Sequence, residues 1–217
     1  MNFRNLFGGR KSRKAAIHNV SFTDFGWTKR QESDAEISWV HPSYPAVLSI
    51  NYFQLPPDVP YMADVSELRT FYRNMVIQSG GGLIQVDVAE IKGVRSIITL
   101  FKMPREGNGI HYIGAITIPF HDCSYVVKIQ AVEDGPTGMR EAMIAPHLIE
   151  QGTITVDQDG VKGWAADPYD STIIDGLLMN LSESITYDEQ FAQHPLSIVR
   201  NRMQELINSI QIAQTLV

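Results

Sequence analysis

The sequence predicts an α+β fold, a twisted antiparallel β-sheet of about seven strands packed by two or three α-helices. Three observations predict it. Apolar and polar residues alternate with period two in successive runs across residues 83–132. The breaks between those runs are short enough for hairpins, whereas parallel neighbours would need crossovers of a dozen residues. Two further segments, near 64–79 and 195–214, repeat apolar residues at helical intervals. The chain has 217 residues, 44% of them hydrophobic and 19% charged, and a formal charge of −6. A chain of that size buries enough surface to fold without disulfides or a structural metal, and its single cysteine cannot form an intrachain bridge. No run approaches the roughly 20 apolar residues that span a bilayer, and no secretory signal opens the chain, so a cytoplasmic location is expected. The negative charge argues against a nucleic-acid partner, and no cofactor motif or metal-binding spacing is present.

Residues 1–16 read as a flexible basic N-terminal arm. Residues 1–14 hold Arg4, Arg10, Lys11, Arg13 and Lys14 with no acid among them, and Phe3, Leu6 and Phe7 stand ahead of the basic run at 10–14. Such an arm suits weak contact with an anionic membrane, which adds a possible peripheral location. Residues 17–217 are expected to form a single α+β domain. Its strands begin at 17–22, 36–41 and 46–54, where Leu48, Ile50 and Tyr52 share a face. Pro56, Pro57 and Pro60 end the third. A helix follows, with Asp64 and Glu67 at capping-box spacing and Val65, Leu68, Phe71, Tyr72, Met75 and Val76 on one face. Gly80 to Gly82 stop it. The four strands of 83–132 come next, then a shorter helix after Thr137 with Met139, Ala142 and Met143 inward and Pro146 ending or kinking it. Pro195 opens the last helix as its first residue. Residues 151–192 show little periodicity and read as an irregular acidic insertion.

This element order resembles the PsbP-like fold, which the Mog family of Ran-binding proteins shares. Within the meander, Ile91-Lys-Gly-Val-Arg-Ser-Ile-Ile-Thr-Leu-Phe101 and Tyr125-Val-Val-Lys-Ile129 are similar to that fold's strand after a glycine turn and to its later apolar strand. The resemblance covers residues 17–150 and 195–214 and breaks at the insertion. It implies a PsbP-like sandwich and a class of adaptors, extrinsic accessory subunits and secretion-associated chaperones. No family binding residue carries over.

The leading function is therefore a non-catalytic protein-binding or adaptor domain of a bacterial-type protein, with two alternatives. One is a thiol-dependent enzyme using Cys123 with His121; His111 on the neighbouring strand would complete a metal site with that pair, but a His-x-Cys pair without a second pair nearby lacks the spacing of a zinc motif. Against it, Cys123 shares the parity of Tyr125, Val127 and Ile129, which places the thiol in the core edge. The other is a calcium-dependent interaction protein, because Asp157-Gln-Asp159-Gly160 echoes the start of a calcium loop. That loop's third acidic position and closing glutamate are missing, and turn chemistry explains Asp-Gly equally well. The expected binding surface comprises Trp164 and Tyr169 as aromatic anchors amid Asp157, Asp159, Asp167 and Asp170, suited to a basic protein partner. Around the last helix, Asp188 is expected to pair with a base and His194 to cap, with Arg200 and Arg202 exposed.

Overall fold

The structure, a computed structural model, describes residues 15–158 and 160–216. Residues 1–14 of the basic arm, and Asp159, lie outside the described residues. A 3-10 turn at Ile17–Asn19 leads into β1 (Val20–Ser21), β2 (Thr28–Glu32), β3 (Glu36–Val40) and β4 (Ala46–Phe53). Helix α1 (Val65–Gln78) precedes the meander β5 (Gly82–Ile91), β6 (Val94–Pro104), β7 (Ile110–Pro119) and β8 (Ser124–Val132). Helix α2 (Met139–Glu150) follows, then four short strands, β9 (Thr155–Asp157), β10 (Gly160–Lys162), β11 (Ala165–Ala166) and β12 (Met179–Asn180). Helix α3 (Pro195–Ser209) and β13 (Gln211–Ile212) complete the order.

Seven strands form one sheet in the order β2-β3-β4-β8-β7-β6-β5, with every neighbour antiparallel. The fold is α+β. Register aligns Ile50, Val127, Ile116 and Ile98 across four strands, and period two puts the whole row on one face. Leu196, Val199, Met203 and Leu206 of α3 pack onto that face. Each such side chain contributes about 1.5–3 kcal/mol by leaving water. Gly114 makes the close approach possible, because a Cβ there would stand 2.8 Å from Val199 Cγ1 and Met203 Cγ. Residues of opposite parity, Leu83, Val86 and Ile97, take Leu68, Tyr72 and Val76 of α1 on the other face. Asp64 caps α1 by accepting the Glu67 N–H at 2.9 Å.

Four local expectations are corrected. Residues 17–22 are not a strand of the seven-stranded sheet: Ile17–Asn19 is a 3-10 turn, and β1 pairs with β13 in a separate sheet of two, through Val20–Ile212 and Ser21–Gln211. The seventh strand is β2, whose Thr-Lys-Arg-Gln-Glu sequence is exposed at every position. A charged edge strand resists pairing with other chains and shows no hydrophobic alternation for a sequence reading to find. Helix α2 continues through Pro146, where the backbone carbonyl left without its partner belongs to Ala142, an exposed residue whose carbonyl can meet water. Its buried face is Arg140, Ile144 and Leu148, whereas Met139 and Met143 are exposed. Helix α3 ends at Ser209 instead of 214, and the chain turns into β13.

Candidate functional site

Residues 151–192 are more ordered than an irregular loop. β9 and β10 form a hairpin with Val156 opposite Val161, β11 pairs with β12, and two 3-10 turns lead toward α3. What holds this segment down is charge. Arg73 of α1 meets Asp167 through two parallel hydrogen bonds of 2.7 and 2.8 Å, with both side chains almost fully buried. Burial works to raise the Asp167 pKa, but Arg73 and the N–H groups of Tyr169 and Asp170 outweigh it and hold the carboxyl below its usual range. Lys102 of β6 stands 2.6 Å from Glu183 in the sheet interior, 3% and 1% exposed. The Tyr112 hydroxyl and the Asn180 N–H also donate to Glu183, so both carboxylate oxygens are satisfied.

The third anchor is Arg140, the largest fully buried side chain of the described residues. Its guanidinium donates to the carbonyls of Ser182 and Ser184, to Ser197 Oγ and to Asp188. Arg200 bonds the same Asp188 at 3.0 Å and the Glu183 carbonyl at 2.7 Å. The expected pairing of Asp188 and capping by His194 are both seen, the latter through Leu196 N–H to His194 Nδ1 at 3.2 Å. Arg200 itself is not exposed, with only 11% of its side chain accessible, because its charge is spent on Asp188 and the turn.

The predicted binding residues thus fall into different environments. Asp167 lies in the ion pair with Arg73. Tyr169 is half-buried beneath the Arg69 guanidinium, 3.8 Å above its ring, and its hydroxyl accepts the Val86 N–H at 2.8 Å, capping part of the β5 edge. Trp164 is half-buried against Ile144, Leu148 and Ile154. Asp157 is exposed and pairs with Lys162 across the hairpin at 2.6 Å. Asp170 accepts from Thr172 in a local turn. Outward-facing apolar residues of the segment are instead Val156, Val161, Ile174 and Ile185, all more than half exposed.

Sequence reasoning missed Lys102, Tyr112, Arg140 and Arg73. A signal existed for two of them. Lys102 shares the inward parity of Ile98 and Leu100, and Arg140 stands four and eight residues before Ile144 and Leu148; a charge on a core parity must find a partner.

The thiol alternative meets a different environment. Cys123 is 1% exposed, and burial together with Asp122 pushes its pKa up to about 11, away from a reactive thiolate. His121 is exposed. Among the described residues, no group of three or more His, Cys, Asp or Glu side chains is placed to hold a metal, and no helix is long and apolar enough to cross a membrane.

Fold and site together define an α+β domain whose acidic segment 151–192 is tied down by buried ion pairs. No family model and no curated protein matches the chain. Among solved structures, it is similar to a variant of protein Mog1, at 12% identity over 90% of this chain and 91% of that one, with a TM-score of 0.47. It is also similar to the cyanobacterial PsbP, CyanoP, of Synechocystis, at 10% identity over 61% and 84%, TM-score 0.40. A third is LpqN of Mycobacterium tuberculosis, described as involved in cell envelope biogenesis, at 17% identity over 61% and 80%, TM-score 0.30. These include the families that the sequence resembles; at such scores the likenesses carry no argument about what the chain binds.

Proposed function

We propose that this chain is a non-catalytic protein-binding domain, an adaptor or accessory subunit, whose docking surface is the outer side of residues 151–192. The observation that carries this reading is the contrast between the two sides of the segment. Its inner side is anchored by Asp167, Glu183 and Asp188, each held by a base from elsewhere in the chain. Its outer side presents Val156, Val161, Ile174 and Ile185 to solvent. A surface held in place before binding loses less conformational entropy on association, and exposed aliphatic groups supply apolar area to bury. The exposed acids Asp175 and Glu189 favour a basic partner. The reading includes a cytoplasmic setting, consistent with the chain's one cysteine being buried and unpaired.

The test is affinity capture from the native cell, followed by titration of the purified partner against single variants. Val161→Asp should weaken binding by about 2 kcal/mol, the range of an interface hot spot, with an unchanged melting temperature. Undiminished binding by Val161→Asp and Ile174→Asp together would move the surface elsewhere.

A further inference from the structure

A cleft of about 640 Å³ opens where the end of β8, the start of α2 and the approach to α3 meet. Three acids line it: Glu133, 8% exposed, and the exposed Asp134 and Glu189. Two basic residues line it too, Arg140 and His194. Arg140 is wholly buried and bound to Asp188 and the turn carbonyls, as described above. His194 accepts the Leu196 N–H at Nδ1, which leaves Nε2 as the ring's N–H donor. That Nε2 is buried, in a side chain 9% exposed, and has no hydrogen-bond partner; the nearby Glu133 Oε1 lies at 3.6 Å. The Glu133 oxygens already accept the N–H groups of Ile110 and Gly138. Burial opposes ionisation of Glu133, but His194 and those two N–H donors hold its pKa below the usual range, so the cleft keeps a buried negative charge.

The walls are apolar and aromatic. Met139 is 52% exposed beside the half-buried Tyr44 and Phe191. The Tyr44 phenol donates to the Gln193 carbonyl at 3.0 Å, and its pKa is pushed up to about 12 by burial and by the negative charges of Asp134 and Glu133. A partly enclosed space with acids, aromatic walls and a buried N–H donor that makes no hydrogen bond is complementary to a cation on an apolar stem that also carries a carbonyl.

We propose that this cleft seats a basic side chain of an extended partner segment. Its cationic head sits among Glu133, Asp134 and Glu189, its methylene stem lies against Tyr44, Met139 and Phe191, and a backbone carbonyl of the same segment accepts from His194 Nε2. This rests on the reading of the chain as a protein-binding domain and assigns that reading one specific contact.

The experiment is fluorescence anisotropy on the full chain with a labelled octapeptide of alternating arginine and serine. Its counterpart carries citrulline, which keeps the shape of arginine and lacks the charge. The arginine peptide should bind and the citrulline peptide should bind at least about ten-fold more weakly. Asp134→Asn with Glu189→Gln should weaken the arginine peptide by about ten-fold. Glu106→Gln with Asp34→Asn, which removes the same charge from exposed positions outside the cleft, should leave it unchanged. No binding by the wild type, equal binding of the two peptides, or an equal loss in both double variants would each overturn the proposal. If any of these occurs while the captured partner still depends on Val161, the cleft assignment fails alone and the protein-binding reading stands.

Discussion

The meander of β5 to β8 and the segment 151–192 follow each other in the chain and are held in opposite ways. In the meander, rows such as Ile98, Ile116 and Val127 leave water together, and the loss of one methylene from a row is a small, local cost. In the segment, Asp167, Glu183 and Asp188 are buried opposite Arg73, Lys102, Arg140 and Arg200. Desolvating those charges cancels much of their attraction, so the pairs add little net stability, yet removing one partner strands the other in a site that water cannot reach. The lesson is that the acids which look like a solvated rim in the sequence include the segment's attachment points.

The largest expected effect tests that lesson directly. Arg140→Met leaves the Ser182 and Ser184 carbonyls without their donor and weakens the hold on Asp188, and should cost about 4 kcal/mol in urea unfolding. A cost below about 1 kcal/mol, the scale of an exposed ion pair, would break the comparison.

Asp167→Asn should cost about 3 kcal/mol near neutral pH, and Arg73→Met with Asp167→Leu should recover most of it. Because the folded pKa of Asp167 lies below its ordinary 3.8, this stability is fully present above the ordinary value and is lost as pH falls through the folded one. Wild type and Asp167→Asn should therefore converge in stability in acid; a difference that persists there would mean that the ionised pair is not what Asn disrupts.

The smallest effect sharpens the boundary between the two regions. Tyr169→Phe removes the hydroxyl that accepts the Val86 N–H and should cost about 1 kcal/mol. Hydrogen exchange at the Val86 amide should quicken while amides of β7 and β8 keep their protection. Unchanged exchange at Val86 would show that the β5 edge does not depend on the segment.

Legibility followed the kind of interaction. The meander and α1 could be read because apolar alternation and helical spacing are local properties of the chain, visible within about ten residues. Cys123 was legible for the same reason, through its parity with Tyr125 and Val127. β2 was not, since an exposed edge strand needs no apolar face and takes its conformation from pairing with β3. Nor was the inward face of α2, where a hydrophobicity pattern favours Met139 and Met143 and the structure buries Arg140. Trp164 and Tyr169 stood out by type, but only their neighbours settle which of their faces is free.

What the sequence determined by itself is the α+β class, the antiparallel meander and the helices at its ends, because side-chain periodicity dictates which face each element must bury. Tertiary structure alone decided which acids are anchors and which stay exposed. Arg73 meets Asp167 across 94 residues and Lys102 meets Glu183 across 81, and no local pattern encodes which distant base will neutralise a given carboxylate. That choice depends on where folding leaves a charge without water, which only the packed chain defines.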